Sequence, residues 1–197
     1  MAKRDLGDVA VKALTRPGIG SALLAGLGVY LVLVLQRLLG TVADVVGSVP
    51  WNQDVGGYIA RIIPNDLPAT LGAPLPFALG VVFAFWQLAP VVPQLRMAHV
   101  VTRSILAALV GAAAALVIGG LVALIANYTA WDAYYQFGTG PSGFLRAAYD
   151  AAHVVVPATL RLLAVGLVVV PLAALLLWGW QQSHPPKTAP KGALDEV

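Results

Sequence analysis

Long apolar runs separated by short polar clusters dominate the chain. Four of them reach the length of a membrane-crossing helix, which needs about 20 mostly apolar residues to cover about 30 Å of hydrocarbon. They occupy about 19–36, 77–95, 104–126 and 160–180. Gln36 and Arg37 close the first, Arg96 follows the second, Arg103 and Asn127 flank the third, and the polar tail 181–197 follows the fourth. The pattern predicts an all-α membrane protein built as a four-transmembrane-helix bundle over 19–180, with outer loops at 37–76 and 127–159.

The segments outside the spans carry their own periodicity. Leu6, Val9, Ala10, Ala13 and Leu14 recur at helical spacing with Lys3, Arg4, Asp8 and Lys12 mostly opposite, which predicts a cytoplasmic amphipathic arm over 1–18. Val55, Tyr58, Ile59, Ile62 and Ile63 repeat that spacing before Pro64, with Asp54 placed to cap a second interfacial helix. Trp51, Trp131, Trp178 and Trp180 are suited to anchor the chain at the headgroup layer. The tail over 181–197 is Pro-rich, cannot pack a core, and is expected to be disordered.

Composition narrows the class. Of the 197 residues 59% are hydrophobic and 11% charged, with a mean hydropathy of +0.81. Soluble domains carry about a quarter charged residues, so a water-soluble enzyme, a disordered chain and a disulfide scaffold are all excluded. The absence of cysteine removes thiol catalysis, Cys-ligated zinc and iron–sulfur clusters. A net charge of +3 is too small for a nucleic-acid footprint, and no nucleic-acid partner is expected.

The placement of the charges matters more than their sum. Lys3, Arg4, Lys12, Arg16, Arg96, Arg103, Lys187 and Lys191 fall on one side of the predicted spans, against Arg37, Arg61 and Arg146 on the other. Eight against three, in short loops, places both termini in the cytoplasm. The bias toward Ala, Val, Leu and Gly and the compact size suit a prokaryotic plasma (inner) membrane.

The third span carries the clearest motif. Ala107, Gly111, Ala115, Gly119 and Ala123 lie four residues apart and form a small-residue helix-packing face, along which a neighbouring backbone can approach closely. That neighbour is either a helix of the same chain or a partner. A bulky residue at Gly111 or Gly119 should disrupt assembly. In span two, Gln87 lies near mid-depth ahead of Pro90 and Pro93, a pattern that predicts a kink near the cytoplasmic end with Gln87 bonding a neighbouring helix.

Candidate polar functional residues are few: Gln87, Asp150, His153 and Arg161. Counting back from Trp178 and Trp180 puts Arg161 at the outer boundary, where its guanidinium can snorkel. If the last helix instead runs unbroken from Ser142, Asp150 and Arg161 stand three turns apart on nearly one face. No carboxylate lies inside any span, which counts against a proton-coupled carrier. Ser142 with His153 lacks an orienting third group and oxyanion donors, so no catalytic residue, metal or cofactor is expected.

The sequence therefore points to a non-enzymatic accessory or scaffold subunit. It would assemble in the lipid bilayer with a membrane-protein partner, or with itself, through the small-residue face. The alternative is a small transporter or channel component in which Gln87, Arg161 and the outer Asp and Arg groups line a pathway for a small solute. A lipid-modifying enzyme ranks third.

Overall fold

A computed structural model describes residues 18–48, 56–57, 67–135 and 140–184, and every regular element among them is a helix. Helix α1 covers Ile19–Ser48, α2 covers Leu75–Phe83, α3 covers Met97–Tyr135 and α4 covers Gly140–Ser183. A short helical stretch at 67–72 leads into α2, and a π turn over Ala84–Leu88 ends it. Four segments are long and apolar enough to cross a membrane: Ile19–Asp44, Leu67–Leu88, Met97–Thr129 and Gly143–Ser183. This is the make-up of a multi-pass membrane protein.

One end of the bundle, the near end, holds the start of α1, the end of α2, the start of α3 and the end of α4. The far end holds the other four termini. α3 and α4 share the largest interface, α2 packs on α3, and α1 leans against α2 and α4. The core is small-residue and aliphatic: Ala22, Ala25, Val29, Leu33, Phe77, Val81, Ala107, Ala108 and Val170 are all buried. Large apolar side chains such as Leu23, Leu27, Leu31, Val117, Leu121 and Leu176 cover the outside. That surface would be a liability in water and is the expected lining against lipid tails.

The helices differ from the apolar runs at their ends. α3 continues past Asn127 to Tyr135 and α4 begins at Gly140, so the outer loop expected at 127–159 is almost entirely helix. Hydropathy marks where lipid stops. The backbone stops only where residue chemistry breaks it, and the first breakers after Asn127 are Gly138, Gly140 and Pro141. α1 likewise passes Arg37 and runs to Ser48, shortening the expected 37–76 loop. α4 also carries Pro157 and Pro171 within the helix and takes in Gln181, Gln182 and Ser183 from the expected tail; the rest of that tail, from 185 on, lies outside the described residues.

Span two ends earlier than expected. Pro90 has no N–H to donate and disfavours helical backbone in the residue before it. Ala89 accordingly sits at φ −143° and ψ 69°, and its N–H bonds back five residues to the Ala84 carbonyl at 2.8 Å. The helix therefore terminates at Leu88 where a kink was expected. The amphipathic arm over 1–17 and most of the 49–66 segment lie outside the described residues.

Candidate functional site

Three places in the bundle bring unusual chemistry together. The first is the layer where the helices touch. A Cβ built on Gly80 would stand 2.8 Å from the Gly111 Cα, 2.9 Å from the Val110 carbonyl oxygen and 2.9 Å from the Ala114 Cβ. One built on Gly111 would meet the Phe77 carbonyl oxygen at 2.9 Å, and one on Gly166 would run into the tip of the Phe77 ring. α2 and α3 thus meet backbone to backbone at the Gly80–Gly111 pair, and the fully buried Phe77 ring fills the niche that Gly111 and Gly166 leave. Close approach of this kind is what drives helix association in lipid, where burial of apolar area against apolar solvent gains little.

The small-residue face of α3 is therefore split. Ala107, Gly111 and Ala115 are buried inside the chain's own bundle, against α2. Gly119 and Ala123 are half-buried, and a Cβ on Gly119 would make only an ordinary 3.6 Å contact with Val155 of α4. The first half of the motif is spent within the monomer and does not present itself to a partner.

The second place is the near end of α2. Gln87 is half-buried in the π turn, and Arg103 of α3 donates through Nη1 to the Pro90 carbonyl at 2.7 Å. That bond satisfies an acceptor left over where the helix ends, and ties the end of α2 to the start of α3. Trp178 packs against the core with its Nε1 buried, and its neighbour Gln181 is 4% exposed. Neither Trp178 Nε1 nor Gln181 Oε1 has a hydrogen-bond partner among the described residues. Trp178 is thus half-buried, with its ring nitrogen turned into the bundle. Trp180 does face outward, 53% exposed, with its ring stacked on His184 at 5.2 Å. Trp51 and the side chain of Trp131 lie outside the described residues.

The third place is a cavity of about 430 Å³ at the far end, between α1, α4 and the start of α2. Arg37, Gln36, Thr41 and Asp44 reach it from α1, Arg161 from α4, and Pro74 borders it. Arg161 lies five residues, about 8 Å, to the far side of Gly166. Arg37 lies eleven residues, about 16 Å, beyond Gly26, which abuts Ala78 and Val82 in the same helix-contact layer. The two arginines thus line the cavity from different backbone levels, Arg161 from the deeper one. An arginine at mid-bilayer costs on the order of 3 kcal/mol, which favours its opening into a polar cavity over lipid. No family model, curated protein or solved structure matches the chain.

The remaining candidates do not converge. α4 does run unbroken through the Asp150–Arg161 interval, but Val154 and Pro157 occupy the face between them, so no polar stripe forms. Asp150 is half-buried; His153 is exposed, its ring 6.1 Å from Tyr149 one turn away. Gln87 and Arg161 lie on opposite sides of the Phe77 layer, roughly 20 Å apart along the bundle. Phe77, Val29, Val81 and Val170, all fully buried, belong to the core between those two levels.

Sequence reasoning missed Phe77, Gly80 and Arg37. Gly80 was detectable, since Gly80 and Ala84 form a small-residue pair four apart facing the same pattern on α3. Phe77 carries no such mark in a span where most residues are apolar.

Proposed function

We propose that the chain is a non-enzymatic accessory subunit of a membrane assembly, and that it holds its partner through the outward face of α4. The supporting observation is a stripe of Leu145, Tyr149, Val156 and Leu160, spaced four, seven and four residues apart and 67%, 69%, 43% and 60% exposed. Helical spacing puts all four on one face. Counted from the exposed Trp180, about 21 residues of helix at a usual tilt of about 20° cover the hydrocarbon thickness of about 30 Å, so Leu145, Tyr149 and Val156 fall beyond it and are still bare. Apolar surface on a part that lipid cannot cover is the mark of an interface. The first half of the small-residue face of α3 is used internally at Gly111, so this reading does not rest on it.

The proposed orientation has both termini in the cytoplasm of a prokaryotic plasma membrane and the α3–α4 hairpin outside; the eight-to-three bias of Lys and Arg along the sequence supports it.

A photo-reactive residue at Leu145, Tyr149 or Val156 is expected to yield one discrete protein adduct in membranes. The same residue at Leu27, exposed on α1, should yield none. An adduct at twice the chain's own mass would make the partner a second copy. If the stripe positions crosslink no better than Leu27, the reading fails.

A further inference from the structure

We propose that the far-end cavity is a binding site for a phosphate-type oxyanion, carried by a lipid headgroup or free in solution. Its volume of about 430 Å³ falls within the range of small-molecule sites, about 300–1,000 Å³. Arg37 and Arg161 bring two guanidiniums to it from different helices. Among the described residues, neither guanidinium has a hydrogen bond or an ion pair. Two like charges facing one cavity repel each other, and each presents a planar fork of N–H donors. A phosphate group, with several acceptor oxygens, relieves both at once and takes charge-assisted bonds from each fork.

The other polar groups fit the same ligand. Gln36 adds an amide that can donate to an oxygen at the mouth. Thr41 spends its hydroxyl proton on the Arg37 carbonyl at 3.2 Å, and so contributes shape more than a donor. Asp44 is the opposing charge. It lies seven residues beyond Arg37 on the same face of α1, toward the far end, and leaves the lining at a net +1. The carboxylate thus weakens anion binding at the entrance without cancelling it, which gives the site a sign test. Gly40 also lines the cavity, and a Cβ there meets no atom within 4 Å, so a larger side chain can fill the site without disturbing the helix contacts.

The test uses the full-length chain in a maltoside detergent, which carries no phosphate group, alone, with added phosphatidylglycerol, or with inorganic phosphate. Melting temperature and lipid retained in native mass spectra are read for each. In wild type, phosphatidylglycerol is expected to raise the melting temperature by several degrees and to be retained. Arg37→Gln, Arg161→Gln and Gly40→Leu should each reduce retention about tenfold and remove the shift, while Asp44→Asn should strengthen both. Only variants that melt in maltoside alone as wild type does are scored, and Gly40→Leu serves if an Arg variant does not fold. A shift from inorganic phosphate that the same variants abolish makes the free anion the ligand. The absence of any shift with either probe, or shifts that persist unchanged in the Arg and Gly40 variants, overturns the proposal.

Discussion

Gly80→Leu is expected to leave no folded bundle, while Gly120→Leu on the facing helix will melt within about 0.5 kcal/mol of wild type. The difference comes from what a side chain meets at each position. At Gly80 even a Cβ would press on the Gly111 Cα, the Val110 carbonyl and the Ala114 Cβ, all between 2.8 and 2.9 Å away. Two of these atoms are backbone within α3 and cannot rotate aside, so the helices must separate. At Gly120 a Cβ meets nothing within 4 Å. Overpacking costs about 1–3 kcal/mol where side chains can yield, and more where backbone is in the way. α2 is only nine residues long before its π turn, and four of them, Phe77, Ala78, Gly80 and Val81, are buried, so separating it from α3 would strip much of its packing. Unfolding in a graded detergent mixture, followed by circular dichroism, reads both variants. Equal stability of the two would show that α2 and α3 do not meet at Gly80.

The second large effect belongs to Phe77. Phe77→Ala should cost about 3–5 kcal/mol, because the ring is fully buried and fills the niche beside Gly111 and Gly166. Gly166→Ala should also destabilise, since its new methyl group would occupy the position of the ring tip. The two changes are coupled. Phe77→Leu shortens the side chain where Gly166→Ala adds volume, so the double variant is expected to be more stable than the sum of the singles by about 1–2 kcal/mol. Strict additivity in that cycle would mean the ring and Gly166 are not in contact.

Much of the helical architecture was legible because lipid imposes a simple rule: backbone polar groups must pair within the segment, so apolar length alone identifies a span. The regularity of Ala107, Gly111 and Ala115 was legible for the same reason, since small residues repeated every four positions have few other uses in a membrane. Helix ends were less legible. The run from Tyr128 to Tyr135 is amphipathic enough to read as an outer loop, yet it contains no glycine or proline to stop α3. Pro90 was read as a kink, and it ends the helix because Pro93 follows before any turn could be re-formed.

The far-end cavity was the least legible feature. Arg37 closes span one and Arg161 reads first as a boundary anchor; the alternative reading groups Arg161 with the outer Arg residues, but nothing local in the sequence singles out Arg37 as its neighbour. Their juxtaposition arises from how α1 leans on α4, which depends on Gly26 admitting Val82 and on the Phe77 layer below. Side-chain size at those contacts decides it, and hydropathy carries no record of that.

The glycine layer holds this chain together, and the proposed role of the α4 stripe is to hold a partner. Particle mass and melting temperature in mild detergent, measured together for wild type, Gly111→Ala and Leu145→Lys/Tyr149→Lys, separate the two. Gly111→Ala is expected to melt early yet keep the wild-type particle mass. The stripe variant should melt as wild type does and fall to the mass of a single chain. Loss of the partner from Gly111→Ala at an unchanged melting temperature, or a wild-type particle of one chain only, would contradict this division of roles.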